Sequence, residues 1–435
     1  MAPFCSHFIF NNLKPLFPYT RANFNTFRPR HHQSLLAKTS RDLQQSIKNQ
    51  TQVSTTLATR LLSHNFPDSN VVFSPLSIHV VLSILAAGSK GPLLDQLLAF
   101  LKANTATDLN SLYSRLVPLI FADGSPNGGP RLSVANGVWV HKTFPVKPSF
   151  KEIVDNTYKA TCNQVDFQNK EEVANEVNLW AEKQTNGLIK NVISANAIDN
   201  ISMLILANAV YFKGVWMEKF NDSMTEEDDF HLLDGNKVQV PFMTSRNNQF
   251  VRVYDDFKVL GLPYLNGQDK RKFTMYFFLP HEKDGLPSLV EKVGSTPDFL
   301  ERHIPHHKVK LREFLIPKFK ILFGFEASDM LKELGLVLPF SDVGFTEMVE
   351  LLQDEWLSVS SIYHKSFVDV NEEGTEAAAV TAVHMLCGSS RKKVEENIVD
   401  FVADHPFLFV IREDVSGVVL FMGQVINPQV DCKDS

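Results

Sequence analysis

The chain has 435 residues, 44% of them hydrophobic, enough for one large core or two ordinary ones. Its formal net charge of −6 is spread along the sequence, which argues against a nucleic-acid-binding face. The four cysteines, Cys5, Cys162, Cys387 and Cys432, lack the spacing of a disulfide framework or a zinc site and suit a reduced, intracellular protein.

Residues 1–42 read as a basic N-terminal extension. Lys14, Arg21, Arg28, Arg30, Lys38 and Arg41 precede the first acidic residue, Asp42. No continuous apolar core follows the start, so a signal peptide is not expected. The cytosol is the expected compartment. An organelle transit peptide, to plastid or mitochondrion, fits the charge bias, and a disordered extension without an address is the bland reading. Secretion without a signal peptide stays open.

From Asp42 to Leu62 the apolar spacing predicts a surface helix. Val71–Gly88 is the most apolar stretch, but Ser74, Pro75, Ser77, His79 and Ser83 make it a buried helix rather than a membrane span. Helices are expected over 92–101, 107–120, 147–157 and 171–184, the last ending at Asn186-Gly187. Leu132–Val140 alternates and reads as a strand. Met203–Trp216 is apolar throughout and suits a central strand. Phe230–Phe242 reads as two strands around Asp234-Gly235, and 250–263 and 271–279 alternate. Helix returns over 286–300. Val309–Phe323 is strand-rich with a bend at Pro317, and 325–334 is helical up to Gly335. No repeat or linker splits residues 43–430, which predicts one α+β domain with large mixed sheets and a short tail, 431–435.

Motifs of ordinary enzymes are absent: no G-x-S-x-G, H-E-x-x-H, P-loop or G-x-G-x-x-G. His303, His306 and His307 cluster beside Lys308 and Lys310, but the cations oppose a metal, and a solvated loop is the better reading. Lys308, Lys310 and Arg312 alternate, as on one strand face that discourages edge pairing. Glu226–Asp229 reads as a solvated acidic loop. Asn208 stands inside an apolar run and must find partners if buried.

The stretch 371–388 is peculiar. Two carboxylates and a glycine break a strand-like run that ends at Val370. Thr375, Ala377, Ala379, Thr381 and Val383 then occupy alternate positions, all small or β-branched, so the segment could slide into a sheet. Ser389-Ser390-Arg391-Lys392-Lys393 follows and reads as exposed loop. Glu372-Glu373-Gly374-Thr375-Glu376-Ala377-Ala378-Ala379 resembles the hinge of an inhibitory serpin. Val402-Ala403-Asp404-His405-Pro406-Phe407-Leu408-Phe409 and Val418–Pro428 resemble the family's C-terminal strands, and the wording of Phe401–Phe409 is close to plant serpins. With further matches the resemblance spans roughly residues 50–430.

It implies the serpin fold: three β-sheets, eight or nine helices and an exposed reactive-centre loop over about 374–398. It implies no enzyme and no cofactor, but a suicide-substrate inhibitor of serine, or else cysteine, endopeptidases. The expected partner is a target protease joined covalently to a monomeric inhibitor, with no nucleic acid and no membrane. Serpin loop insertion is an established case of strand addition that releases stored strain. The hinge would be Glu373, Gly374, Thr375, Glu376, Ala377, Ala378 and Ala379. Ser74, Ser77, Asn208 and His364 match the family's shutter, a polar cluster where two central strands part, and Trp216 matches the tryptophan above that opening. Counting from Gly374 gives Gly388–Ser389 as the reactive bond, flanked by Met385, Leu386, Cys387 and, further on, Arg391. Gly388 cannot fill a specificity pocket, so small-pocket proteases, or ones that read Met385 and Leu386, fit best. The alternative is a non-inhibitory serpin that binds a ligand or partner.

Overall fold

The computed structural model describes residues 30–341, 344–353, 355–375 and 399–430. By contacts the chain divides into Met1–Asp42 and Leu43–Ser435. Three sheets and nine α-helices are found among the described residues. Arg30–Arg60 is the first helix and starts earlier than the sequence pattern suggested.

The six-stranded sheet positions the site. Its order is Phe319–Glu326, Ser361–Val370, Gly374–Thr375, Leu204–Val215, Arg131–His141, Thr161–Val165. Leu204–Val215 is buried on both faces, which is why it reads as an unbroken apolar run rather than an alternating one. One face is covered by helix Lys170–Gln184, where Val177 packs with Trp139 and Ile205, and Ala181 with Ala135 and Ala209. The other face meets helix Pro75–Ala87, which also contacts strand Val419–Val425 of the second sheet. Twelve of that helix's thirteen residues are buried, so it carries no polar stripe.

The second sheet has seven strands, in the order Val71–Phe73, Val419–Val425, Phe407–Glu413, Phe273–Pro280, Phe257–Pro263, Gln249–Val253, Lys308–Val309. Its central strand, Phe273–Pro280, is buried along its whole length. The third sheet runs Val399–Val402, Leu311–Pro317, Lys237–Met243, Glu226–His231.

Several local expectations need correction. The acidic run Glu226–Asp229 belongs to a strand, not a loop; it is an outer strand, and Asp229 is bonded by Lys237 and Gln239 across the ladder. Lys308 and Arg312 do not share a strand. Lys308 joins the second sheet and pairs with Glu218 at 2.5 Å, while Arg312 joins the third and pairs with Asp400. Strand Phe319–Glu326 continues through Phe325, and only Ser328–Glu333 is helical before Gly335 turns the chain at φ +93°. Thr161–Val165, a half-exposed five-residue strand, gave no sequence signal. His303 is not in a solvated loop; it ends helix Phe299–His303 and packs on Phe299, with ring centroids 4.2 Å apart.

Candidate functional site: the seam of the central sheet

Strands Leu204–Val215 and Ser361–Val370 run parallel and pair directly from Ser361 opposite Ile205 to Phe367 opposite Tyr211. Above Phe367 they part. Asn371, Glu372 and Glu373 turn the chain back, and Gly374–Thr375 enters the gap as a short strand. It is antiparallel to both neighbours: Thr375 faces Val370 on one side and Gly214 on the other, and Gly374 faces Val215. The expected hinge is therefore already seated by two residues. Gly374 and Thr375 are buried, against the expectation that an exposed loop begins at 374. Positions 376–398, with Glu376, Ala377, Ala378, Ala379, Met385, Leu386, Cys387, Gly388, Ser389 and Arg391, lie outside the described residues.

The seat is built from both sides. Gly374 has φ +154°, and a Cβ there would collide with the Gly214 carbonyl and crowd Val215 Cα at 2.8 Å, so only glycine fits. Thr375 is fully buried and its hydroxyl lies 2.6 Å from the Tyr264 hydroxyl. Tyr264 stacks on Trp216, with ring centroids 4.5 Å apart and planes at 18°. Burial pushes the Tyr264 phenol far above its ordinary range, so it stays a neutral hydroxyl. Trp216 donates its ring N–H to the Asn371 carbonyl at 2.9 Å and its backbone N–H to the Glu373 carbonyl at 2.9 Å. Glu373 pairs with Lys219, and Glu372 with Lys318 at 2.9 Å. Burial opposes the charge on Glu372, but bonds from Lys318 and Thr225 outweigh it and hold its carboxyl below the usual range.

Six register positions below Thr375 lies the polar cluster. His364 and Asn208 face each other across the seam, and Ser74 and Ser77 lie at the head of helix Pro75–Ala87. Ser74 has two tasks. Its hydroxyl caps the helix by accepting from the Ser77 N–H at 3.3 Å, and its own N–H donates to His364 Nε2 at 3.0 Å. Burial lowers the His364 pKa to about 3, so the ring is neutral; with Nε2 accepting, the proton sits on Nδ1. Asn208 does not bond His364. Its amide donates instead to Asn136 Oδ1 at 2.6 Å and to the Ala135 carbonyl at 3.0 Å. Three buried atoms are left without partners: His364 Nδ1, Asn208 Oδ1 and Ser77 Oγ. At the seam itself this is a donor and an acceptor, each on its own strand.

Two site residues escaped sequence reasoning. Asn136, like Asn208, is a polar residue within an apolar strand, so the same signal was available. Tyr264 follows a strand end and carries no motif. Cys162 is the described free cysteine; burial pushes its thiol up to about 11, which makes it inert.

A family model described as Serpin (serine protease inhibitor) matches residues 48–428. The chain is a serpin. Serpin-ZX of Arabidopsis thaliana is 56% identical over 391 residues, covering 89% of this chain and 99% of that protein. Serpin-Z1C of Triticum aestivum is 50% identical over 390 residues, covering 89% and 97%. Among solved structures, Arabidopsis AtSerpin1 in its native stressed conformation superposes with a TM-score of 0.83 at 54% identity, covering 89% of this chain and 99% of that one. A cleaved serpin, 42Da, superposes at 0.74 with 28% identity, covering 89% and 100%. The expected α+β serpin fold and plant-serpin kinship hold, and the protein belongs among protease inhibitors.

Proposed function

We propose that this serpin is a suicide-substrate inhibitor of a serine, or cysteine, endopeptidase, acting as a monomer through insertion of its loop into the central seam. The observation that carries the reading is the seated pair Gly374–Thr375, bonded to both central strands above a seam that is still closed. The target attacks the loop and forms an acyl-enzyme. The freed strand then enters the sheet, carrying the tethered protease across the body before water can release it. Distortion of the protease's oxyanion hole blocks deacylation.

The observed register supports the bond Gly388–Ser389. Each step down the loop lowers the partner position by one. Continued from Thr375 opposite Gly214, Thr381 meets Asn208 and Gly388 meets Ile201. Continued from Thr375 opposite Val370, the same residues meet His364 and Leu357. The two counts agree with the direct pairing of His364 and Asn208. Gly388 then ends the inserted strand close to where the central strands begin, at Leu204 and Ser361. Thr381 comes between the two unpartnered groups, where its hydroxyl can accept from His364 Nδ1–H and donate to Asn208 Oδ1. The shutter thus has an opening that its own loop completes.

The test is incubation with a panel of small-pocket, chymotrypsin-like, trypsin-like and papain-like proteases, followed by a denaturing gel. A covalent complex acylated at Gly388, located by mass spectrometry, is the expected result. Cleavage without complex across the panel would sink the proposal.

A further inference from the structure

The register count that ends the inserted strand brings Gly388 level with Ile201 and Leu357. Both lie just outside the first residues of the central strands, and they differ in aspect. Leu357 is buried, while Ile201 is 82% exposed. Two more large apolar side chains stand open on the segment that carries Leu357: Leu352 at 75% and Trp356 at 45%. The core is filled without them, since Ile198, Leu357 and Val359 turn inward beside them. The two segments are tied together. The Ser360 N–H donates to the Leu204 carbonyl at 2.8 Å, and the Met203 N–H to the Ser360 hydroxyl at 2.9 Å. Each is also held in shape. The Ser202 N–H reaches the Asp199 carbonyl at 3.0 Å, and the Leu352 N–H reaches the Glu355 carboxylate at 2.9 Å. Glu350 and Val359 donate to the Pro145 and Pro339 carbonyls at 2.9 and 2.8 Å. A partner landing on this end of the sheet therefore meets a backbone that is already ordered, which lowers the cost of binding.

We propose that Ile201, Leu352 and Trp356 form the surface on which the acylated protease is pressed after insertion, with Ile201 nearest the tether and Trp356 as the anchor. The inference rests on loop insertion as proposed above. The tether names the occupant, because a protease bonded to Gly388 is delivered level with Ile201. Apolar side chains gain by being covered, and aromatic anchors dominate such contacts. Asp199, Glu350 and Glu355 stand exposed on the same two segments, so a protease with a basic face fits best. The contact lasts only while the protease stays pressed close. It thus opposes recovery of the distorted oxyanion hole and slows release by water.

The probe is chymotrypsin, acting on full-length Gly388→Phe, which gives that protease's pocket a side chain at the proposed bond. Covalent complex is purified, and release of active chymotrypsin is followed by substrate hydrolysis. Ile201→Asp and Trp356→Asp, each added to Gly388→Phe, should form complex as fast but release protease at least ~10-fold faster. Trp356→Phe should restore slow release. Val415→Asp, at an exposed apolar residue on the turn before strand Val419–Val425, should leave release unchanged. Hydroxyl-radical footprinting should find Leu352 and Trp356 protected in the complex and open in the cleaved, protease-free inhibitor. Equal release with and without the two Asp substitutions, or equal oxidation of Trp356 in the two states, would overturn the surface and leave loop insertion standing. Cleavage of Gly388→Phe by chymotrypsin with no complex at all would overturn both.

Discussion

At Gly374 a single missing carbon decides whether the hinge can sit. A side chain there would meet the Gly214 carbonyl, and the backbone is in a region that costs a non-glycine residue roughly 1–3 kcal/mol. Gly374→Ala is expected to leave loop cleavage intact and raise several-fold the number of inhibitor molecules cut per protease trapped, because seating is where insertion begins. An unchanged ratio of complex to cleaved inhibitor on a gel would remove Gly374 from the hinge. His364 is the second single-residue control. Its imidazole titrates near 6.5 in the unfolded chain and at about 3 in the fold. Between those values the unfolded chain binds a proton that the fold excludes, so stability falls as pH falls. The loss attributable to this one residue is roughly 2 kcal/mol at pH 5. Burial lowers His79 to about 4, and it adds in the same direction. Urea midpoints should drop between pH 7 and pH 5, and His364→Gln should flatten that slope by about one proton. An identical slope in the variant would contradict the assignment.

The inserting element can be judged by which side chains it turns inward. Thr375 fills a closed site against Tyr264, and on the proposed insertion alternation would turn Ala377, Ala379, Thr381 and Val383 to the same side. Thr375→Arg would force a charge into that site, an expense of several kcal/mol. The variant is expected to be cleaved at the normal rate and to form little covalent complex with a protease that traps wild type. Equal complex formation would defeat the hinge argument. At this scale the sequence was informative where burial follows a simple period. The strand Leu204–Val215 and the helix Pro75–Ala87 could both be read from residue type alone. What could not be read depends on partners distant in sequence. That Asn208 bonds Asn136 rather than His364, that Tyr264 meets Thr375, and that Lys308 and Arg312 fall in different sheets are outcomes of strand order, which no local window contains. Glu226–Asp229 misled for a related reason, since an edge strand tolerates charges that a central strand would reject.

For the molecule as a whole, the closed seam predicts a native state that is not the most stable one its chain can reach. On the proposed mechanism, nicking near Gly388 frees the strand to enter, replacing one ladder of hydrogen bonds by two and burying its apolar face. Thermal unfolding should move upward after the cut, and an unchanged or lower midpoint would count against metastability. Arg391 supplies a matching negative. Trypsin should cut there, but the inserted segment would be three residues longer, roughly 10 Å of slack. The protease is then pressed less firmly and should escape by deacylation. A stable trypsin complex acylated at Arg391 would overturn the register at Gly388.

The two strands that would part on the proposed insertion run in the same direction, joined over the seven positions Ser361 to Phe367. A chain returning from the turn at Asn371–Glu373 runs against both of them. Filling the gap exchanges one slanted ladder for two of the firmer antiparallel kind. It also leaves the newcomer with partners along both edges and no exposed border from which it could be peeled away. On the proposed mechanism, each molecule is consumed by the event it performs. Supply then matters more than affinity: the rate of synthesis, not a dissociation constant, sets how much proteolysis the cell can extinguish, and a used copy can only be replaced.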